Sequence, residues 1–506
     1  MAEGKRLSYQ TLEELGYEGY LHREGPERVL QFGEGVFLRA FVDDFIDRMN
    51  EKADFDSKVV VVQPRGRGAG RVRQALNEQE GLYTLLLRGN EKGVRTDRRR
   101  VISCISRCLN PHSDYEAYMA CARNPHLRFI VSNTTEAGIV YDPSCRFEDQ
   151  PGESFPGKLT QFLYERFRAF GGEKGKGFVI LPCELIDDNG KELKRCVLAY
   201  ARQWKLGEAF LQWIREENLF CSTLVDRIVT GYPAGGAESL CRDLGYEDHA
   251  MDTGEVFASW VLEGPKSLKE ELPFEKAHLP VLITHDHKPY KQRKVRILNG
   301  AHTSMVLGAY LAGRDIVRDC MRDEVIRGFM ERTVYEEIIP TLTLPEQELR
   351  AFARAVTDRF DNPFIDHELL SISLNSTSKW RARVLPSLRG YWDRFGKLPL
   401  CLSASLAFYI AFYHRGVRME EGALMGKRGD KEYPIRDDER VLDFYLSHKE
   451  DDPRALTEAV LSNTELWGED LTKLPGLCEE VAKDLEAIEK NGVYGVIEGI
   501  LNASGV

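Results

Sequence analysis

Up to about residue 285, short apolar runs rich in β-branched residues alternate with segments in which apolar side chains recur every three or four positions. This alternation is typical of a parallel β-sheet with crossover helices. The pattern predicts strands at 29–32, 58–62, 128–132 and 177–181, and a helix at 37–49 between the first two. We therefore expect the first half of a doubly wound nucleotide-binding sheet at the start of the chain.

From about residue 294 the pattern changes to long helical periodicities. They predict helices at 301–312, 314–333, 345–360, 400–413, 437–447, 454–462 and 476–490. A chain of 506 residues is also too long for one ordinary hydrophobic core. We predict an α/β protein with two domains: a dinucleotide-binding domain over residues 1–285 and a mostly α-helical substrate and catalytic domain over 286–506.

Composition narrows the classes of function. A formal net charge of -11 does not provide the basic face that nucleic-acid binding needs, although a small anionic substrate needs only a few cations. Eleven cysteines without a C-x-x-C pair fit reduced thiols. The N-terminus is polar, and the uncharged stretch 398–413 is too short to cross a bilayer, so we interpret it as a buried helix. We expect a cytoplasmic protein without nucleic-acid, membrane or obligate protein partners.

The first stretch with chemical content is VLQFGEGVFLRAF, residues 29–41. An apolar strand runs into Gly33-Glu34-Gly35 and then into a helix, which lets the backbone approach a pyrophosphate at the helix N-terminus. The third glycine of the dinucleotide fingerprint is replaced by Leu38. An ordinary tight strand-to-helix turn is therefore the alternative interpretation.

The end of the second strand leaves the type of cofactor open. An acidic residue at this point would hold the ribose hydroxyls of NAD, but the strand ends with Gln63, followed by Pro64-Arg65-Gly66-Arg67. The glutamine could hydrogen-bond a ribose hydroxyl, and the arginines could meet a 2′-phosphate. This stretch alone is compatible with NAD or NADP.

The stretch KQRKVRILNGAHTSMV, residues 291–306, carries Lys294, Asn299 and His302 at the entry to a helix. At about 100° per residue, Asn299 and His302 share one face, and Lys294 in the preceding turn reaches the same pocket. Oxidising an alcohol requires a base and hydrogen-bond donors that converge on one oxygen. A lysine, an asparagine and a histidine meet those needs. The alternative is a basic helix cap with Asn299 as N-cap and His302 on the surface.

A lysine is a poor base at its free pKa of roughly 10.4. Neighbouring cations and burial disfavour its charged form, and Lys291, Arg293 and Arg296 surround Lys294 in the sequence. We therefore expect Lys294 to act as a general base.

Five motifs, GEGVFLR, SNTTEAG, CELIDDNG, LVDRI and K-x4-N-x2-H, occur in this order between residues 33 and 302, within a resemblance that runs from about residue 25 to beyond residue 400. Together they resemble the polyol-specific long-chain dehydrogenase/reductase family. The resemblance implies a Rossmann-type N-terminal domain, a helical C-terminal domain, NAD as cofactor and no metal. It also implies that Lys294 is the general base, that Asn299 and His302 orient the substrate oxygen and stabilise the developing alkoxide, and that Asp226 lies near the active site. The residues that it implies for the cofactor are Gln31, Phe32, Gly33, Gly35, Val36, Phe37, Leu38, Arg39, Gln63, Asn133, Thr134 and Glu136.

Within that family, QFGEG, SNTTEAGIV, LPCELIDDNG and VRILNGAHT are most similar to members that act on sugar acids. This similarity implies reversible, NAD-dependent reduction of tagaturonate to altronate in hexuronate catabolism. Fructuronate reduction and a mannitol-type polyol dehydrogenase are alternatives within the same class. A dinucleotide-binding sensor without chemistry is the alternative of another class.

Two departures from the mannitol-type members concern the substrate. Those members have an Asp-Asn pair where this chain has Glu184-Leu185, and an arginine where it has Ser371. In the stretch 361–384, Lys379, Arg381 and Arg383 are candidates for binding a sugar-acid carboxylate by charge-assisted hydrogen bonds. Exposed cations are the alternative for at least two of them. Of these three cations only Lys379 is predicted to bind substrate, together with Asp226, for which the resemblance implies that role.

His285-Asp286-His287 invites a metal interpretation, because alternate residues share one face of a strand. A catalytic zinc would need a third ligand and an open position, and the neighbouring sequence offers no cysteine or further histidine. We therefore predict no metal site.

Overall fold

The computed structural model describes residues 5–64, 70–135, 137–415 and 418–503. The chain divides into two compact units. The first contains the described residues up to Gly89 together with Thr96–His287, and the second contains Asn90–Arg95 and the described residues from Lys288 onward. The short segment Asn90–Arg95 belongs to the loop end of a hairpin whose strands are Tyr83–Glu91 and Val94–Ile102.

The first unit is built on a six-stranded parallel sheet. In spatial order its strands are Ile105–Leu109, Lys58–Val62, Glu27–Phe32, Phe129–Ser132, Val179–Pro182 and Leu219–Phe220. Numbered along the chain, this is the order 3-2-1-4-5-6 of the dinucleotide-binding fold. The four predicted strands are confirmed, and the α/β fold class with them. The first and last strands of the spatial order are two that the sequence pattern did not predict.

Alternate residues of the sheet pack into two separate cores. In the strand Lys58–Val62, Val59 and Val61 belong to the core on one face and Val60 and Val62 to the core on the other. Burial on both faces is why the strand is a continuous apolar run. The helices of this unit are Tyr9–Glu14, Val36–Arg39, Val42–Ala53, Gly70–Glu78, Tyr115–Ala122, Phe155–Ala169, Asn189–Gln203, Glu208–Glu217, Ala237–Leu244 and Leu268–Glu271.

Two smaller sheets complete the first unit. One consists of Asp252–Glu255, Tyr83–Glu91 and Val94–Ile102, and the other of Val281–Thr284, Ser259–Glu263 and Thr223–Asp226. In the second of these sheets, Asp226 is the last residue of its strand and pairs with Ser259.

The predicted helix at 37–49 is wrong in detail, because two helices occupy this stretch. Val36–Arg39 is a single turn, the chain leaves helical geometry at Phe41, and Val42–Ala53 follows. The second helix has three acidic side chains without solvent exposure, Asp43, Asp44 and Asp47. Asp44 pairs with Arg227 at 2.9 Å and Asp47 with Arg100 at 2.6 Å.

Asp43 has no such ion pair among the described residues. Its Oδ2 accepts hydrogen bonds from Gln31 Nε2 at 3.2 Å and from the Tyr83 hydroxyl at 3.4 Å, while its Oδ1 is buried without a partner in the described chain. Burial raises the pKa of Asp43 to about 7, against the opposing effect of Gln31 and Arg39. The unpartnered Oδ1 is a suitable place for the proton.

We expect the variant Asp43→Asn to be more stable than the wild type at pH 8, with a clearly smaller difference at pH 5. The folded carboxyl has a pKa of about 7 and the unfolded one about 3.9. The folded state therefore holds a proton that the unfolded state releases, and the free energy of unfolding falls as the pH rises from about 4 through 7. Because asparagine does not titrate, the variant should exceed the wild type in free energy of unfolding by on the order of 2–4 kcal/mol above pH 7. Urea unfolding at both pH values measures the difference in free energy of unfolding between the variant and the wild type. The same difference at pH 5 and pH 8 would contradict this explanation.

The second unit is mostly helical, as predicted. Its helices are Lys288–Arg293, Gly300–Leu311, Val317–Arg322, Glu324–Arg332, Glu346–Phe360, Leu369–Ile372, Ser376–Arg383, Leu385–Phe395, Leu400–His414, Glu439–Ser447, Pro453–Ser462, Thr464–Trp467 and Leu477–Asn502, with π-helices at Lys294–Asn299 and Thr333–Ile338 and 3₁₀ turns at Ile339–Thr341 and Leu471–Lys473. The predicted helix at 314–333 is two helices, because Asp323 interrupts it and caps the second. An antiparallel sheet of Arg418–Glu420, Ala423–Arg428 and Lys431–Ile435 was not predicted.

The uncharged stretch forms the buried helix Leu400–His414, as predicted. Its first residues have no capping side chain of their own. Instead, the buried carboxylate of Glu337 accepts hydrogen bonds from the backbone N–H groups of Cys401 and Leu402, both at 2.8 Å. A carboxylate at this position satisfies two otherwise orphaned donors. Within the described residues, no helix combines the length and apolarity needed to span a membrane.

Candidate active site

The turn after the first strand lies where the strand order of the sheet reverses. Gly33 follows Glu27–Phe32, and Asn133 follows the neighbouring strand Phe129–Ser132. Gly33 has φ +132°, and a Cβ on it would lie 3.2 Å from both the backbone oxygen of Asn133 and Cδ1 of Leu38. Glycine is therefore required here, and Leu38 fills the space beneath the turn. Dinucleotides bind at such a switch point of a doubly wound sheet.

Two side chains hold this turn from inside the protein. Gln31 Nε2 donates to the backbone oxygen of Gly33 at 3.2 Å. The buried guanidinium of Arg39 donates to the backbone oxygens of Glu34 and Ala250. Arg39 therefore supports the loop from behind and does not present its charge to a pyrophosphate. Phe32 is also fully buried, whereas Val36 is 38% exposed.

The variant Gly33→Ala should bind NADH at least about tenfold more weakly. An alanine at this φ costs roughly 1–3 kcal/mol, and its Cβ would press on Asn133, so the loop must move away from the position that admits a pyrophosphate. Gly207→Ala is a matched control, because Gly207 has φ +94° and open space around a Cβ. Titration of NADH fluorescence measures both, and equal affinity in the two variants would contradict the role of Gly33.

The ends of the next strands carry the other residues predicted for the cofactor. Gln63 is buried at the end of Lys58–Val62, and Asn133 Nδ2 donates to the backbone oxygen of Cys183 at 2.9 Å. Thr134 N and Oγ1 each donate to Glu184 at 3.0 Å. Arg65 and Arg67, which bear on the choice between NAD and NADP, and Glu136 lie outside the described residues.

Glu184 is a residue whose function the sequence did not reveal. Its buried carboxyl accepts from Thr134 and also from Ser132 Oγ at 3.0 Å. Burial raises its pKa, against the hydrogen bonds that lower it. Because Ser132 and Thr134 flank Asn133, Glu184 fixes the loop after the fourth strand. The next residue, Leu185, is 61% exposed.

Lys294 and Asn299 are the first and last residues of a π-helix that lies between the helices Lys288–Arg293 and Gly300–Leu311. In an α-helix, residues five apart differ by about 140° around the axis. The i→i+5 hydrogen bonds of a π-helix instead place them on one face, and such turns are frequent at functional sites. Asn299 has helical dihedral angles and no capping hydrogen bond, so the alternative interpretation as an N-cap is wrong.

His302 lies one turn further, in the helix Gly300–Leu311. Its ring stacks on Phe360 with centroids 4.0 Å apart and meets the ring of His367 edge-on at 5.5 Å. Its Nε2 is buried and has no hydrogen-bond partner in the described chain, so the alternative of a surface histidine is also wrong. Burial, then the nearby His367 and Arg359, lower its pKa well below the usual range. The imidazole is therefore neutral at physiological pH.

The three cations of the stretch 361–384 have different environments. Lys379 and Arg383 are one turn apart on one face of the helix Ser376–Arg383, and both are partly buried. Burial and the charge of Arg383 lower the pKa of Lys379, whose Nζ donates to the backbone oxygen of Ile372 at 2.9 Å. Arg381 is exposed on another face, with its guanidinium over Gly468.

One group of three possible metal ligands occurs among the described residues. It consists of Asp188, Glu263 and His287, whose ligand atoms lie within 4.8 Å of one another. Lys191 Nζ lies 2.9 Å from Asp188 and 3.0 Å from Glu263, and His287 Nδ1 hydrogen-bonds Glu263. The ammonium group of Lys191 therefore already contacts both carboxylates. His285 is not part of this group.

Comparison with known proteins gives two family matches, one over most of each unit. Residues 27–276 match the family described as the mannitol dehydrogenase Rossmann domain, and residues 286–489 match the mannitol dehydrogenase C-terminal domain. The chain is 47% identical over 497 residues to an altronate oxidoreductase of Pectobacterium atrosepticum, covering 97% of this chain and 99% of that one. It is 48% identical over 475 residues to an altronate oxidoreductase of Escherichia coli, covering 92% and 95%.

Two solved structures share the fold along nearly the whole chain. A mannitol 2-dehydrogenase of Pseudomonas fluorescens, in ternary complex with NAD and D-mannitol, has a TM-score of 0.65 at 22% identity and covers 98% of this chain and 99% of that one. A substrate-free D-sorbitol dehydrogenase has a TM-score of 0.79 at 23% identity, with coverage of 97% and 100%.

Proposed function

The chain belongs to the mannitol dehydrogenase family, and from this premise we propose that it is an NAD-dependent oxidoreductase that interconverts altronate and tagaturonate. The observation that carries the choice of substrate is the identity of 47% to an altronate oxidoreductase over 97% of the chain. Lys294, Asn299 and His302 supply the chemistry that such a reaction needs.

Lys294 takes the role of general base in the oxidation of altronate. Its amine accepts the proton of the substrate hydroxyl while the carbon–hydrogen bond of the same carbinol breaks, and the carbinol becomes a ketone. When bound, NAD would supply the acceptor for the hydride that leaves this carbon, and NADH would supply the hydride in the reduction of tagaturonate. In that direction the ammonium group of Lys294 gives the proton to the new alkoxide.

Asn299 and His302 stabilise the charge that develops on the substrate oxygen. The amide of Asn299 makes no capping hydrogen bond to the helix that follows it, and it shares a face of the π-helix with Lys294. The neutral imidazole of His302 has one N–H to donate, and its buried Nε2 lacks an acceptor or donor among the described residues. Donors fixed before the reaction stabilise an alkoxide without reorganisation.

The first unit offers residues that fit the cofactor. The turn at Gly33, where a Cβ would press on Asn133 and Leu38, would hold the backbone beside a pyrophosphate, and the first backbone N–H groups of Val36–Arg39 have no partner within that helix. Gln63 and the fixed loop at Asn133 and Thr134 would hold the ribose and the nicotinamide. All eleven cysteines are free thiols, which supports a reducing compartment, and we place the protein in the cytoplasm.

Parallel assays with tagaturonate, fructuronate and fructose test this function. We expect NADH oxidation with a kcat/KM for tagaturonate at least about 100-fold above the values for the other two, because a polar site rejects substrates that leave its groups unpaired. Turnover of fructuronate or fructose, with no turnover of tagaturonate, would contradict the proposed substrate. Tight binding of NADH without any turnover would favour a sensor.

A further inference from the structure

Several basic side chains lie near His302 in the second unit. Arg359, Lys379, Arg383 and His367 all lie close enough to lower its pKa. Among the described residues, neither Lys379 nor Arg383 forms an ion pair. The acid that acts most on Lys379 is Asp437, whose Oδ2 already accepts hydrogen bonds from Thr377 N, Thr377 Oγ1 and the Tyr413 hydroxyl.

Arg383 is fixed beside the π-helix that carries Lys294 and Asn299. Its backbone oxygen lies 3.3 Å from the position of a Cβ on Gly300, the residue that follows Asn299. Its guanidinium donates one long hydrogen bond, at 3.4 Å, to the hydroxyl of Thr303, which follows His302. The end of Ser376–Arg383 therefore packs against the beginning of Gly300–Leu311 at the predicted catalytic residues.

The guanidinium of Arg383 has unused hydrogen-bonding capacity. An arginine has five N–H donors in a planar fork, and Arg383 uses one of them on a neutral hydroxyl. Burial of this side chain lowers its pKa, which reflects an unfavourable environment for an uncompensated charge. A carboxylate fits such a fork with two parallel hydrogen bonds.

We propose that Arg383 binds the carboxylate of the substrate and thereby sets the preference for a sugar acid over the neutral polyol. This inference rests on the proposed function. Lys379, one turn earlier on the same helix face, supplies a second positive charge to the same end of the substrate. Ser371, earlier in the same stretch, is exposed and donates its hydroxyl to the backbone oxygen of Glu368 at 2.7 Å, so it contributes no charge.

The test compares two ligands that differ only at the recognised group. Altronate carries the carboxylate, and altritol carries a hydroxymethyl group in its place. Their dissociation constants are measured by calorimetry on the complex of the enzyme with NADH, for the wild type and for Arg383→Gln, Arg383→Lys and Arg381→Gln. Arg381 is the matched control, because it lies on the same helix but on another face.

We expect Arg383→Gln to weaken altronate binding about 30-fold, the effect of losing a charged hydrogen-bonded pair, and altritol binding by less than about threefold. Arg383→Lys, which keeps the charge without the fork, should lie between Arg383→Gln and the wild type. Arg381→Gln should match the wild type. Equal losses for altronate and altritol in both Arg383 variants, or no loss for either ligand, would overturn the inference.

The proposed function and this inference fail in different ways. If the wild type does not oxidise altronate with NAD, the proposed function is wrong. If the wild type does oxidise altronate, but the Arg383 variants keep its preference for altronate over altritol, the assignment of the carboxylate to Arg383 is wrong. If Arg383→Gln does not fold, Arg383→Lys and the wild type still give the comparison, because a lysine there must weaken altronate selectively.

Discussion

The variant Lys294→Ala should lose turnover by about 1,000-fold, while its affinity for NADH stays that of the wild type. Removing the amine leaves the hydroxyl proton of altronate without an acceptor, so the alkoxide must form unaided before hydride transfer. The cofactor residues lie in the first unit, whereas Lys294 begins a π-helix of the second. Single-turnover oxidation of altronate and a separate titration of NADH measure the two quantities.

Lys291→Ala is the control for this experiment. Lys291 is also a lysine, but it lies in the preceding helix Lys288–Arg293 and outside the π-helix that carries Lys294 and Asn299. It should change turnover by less than about threefold, since only a positioned group supplies general-base catalysis. A Lys294→Ala enzyme that retains wild-type turnover would remove this lysine from the mechanism.

The variant His302→Leu should lose about 100-fold in kcat/KM, the effect of removing one donor to a developing oxyanion. Leucine keeps an apolar side chain against Phe360, on which the imidazole stacks at 4.0 Å. The thermal midpoint should therefore change little compared with the activity. Steady-state kinetics with tagaturonate and NADH give the loss, and differential scanning calorimetry checks the fold.

His302→Gln separates hydrogen bonding from charge. Because burial and the nearby His367 keep the pKa of His302 far below its usual range, the wild type uses the neutral ring between pH 6 and 9. Glutamine also offers a neutral N–H donor, so it should recover part of the activity that leucine loses and keep the pH profile of the wild type. A profile that loses an ionisation near neutral pH in His302→Gln would show that the histidine titrates there.

The strands of the central sheet could be predicted from the sequence because the apolar pattern that identifies each strand lies within the strand itself. The run Lys58–Val62 is buried on both faces, and such strands are uninterrupted apolar runs. The interruption between the two helices at Phe41 could not be predicted, because the apolar pattern continues across it. Phe37, Phe41 and Phe45 stack in a ladder with centroids 5.0 and 4.9 Å apart, so helical periodicity continues through a chain that is not continuously helical.

The candidate active site could be predicted only in part from the sequence. The spacing of Lys294, Asn299 and His302 indicated the chemistry, but the i→i+5 hydrogen bonds that align the first two follow from tertiary packing and leave no mark in the sequence. Glu184 was missed because its partner Thr134 lies 50 positions away in the chain. For Arg383 a signal existed, since positions four apart share a helix face and positions two apart do not.

The sheet of the second unit was missed because its strands are short and polar. All three residues of Arg418–Glu420 are exposed, and Lys431–Ile435 buries only Tyr433 and Ile435. The signal available was the pair of glycines at its turns, Gly422 with φ +74° and Gly429 with φ +59°. Glycines at this spacing between short strands are typical of a β-meander.

The central claim is that the amine of Lys294 moves the proton, and amine rescue tests it most directly. Small primary amines of different basicity are added to Lys294→Ala while the oxidation of altronate by NAD is followed. The account predicts a rate that rises with amine concentration and, at equal concentrations of free base, with the basicity of the amine. A rate that stays at the level of the variant for every amine, while methylamine leaves the wild type unchanged, would contradict it.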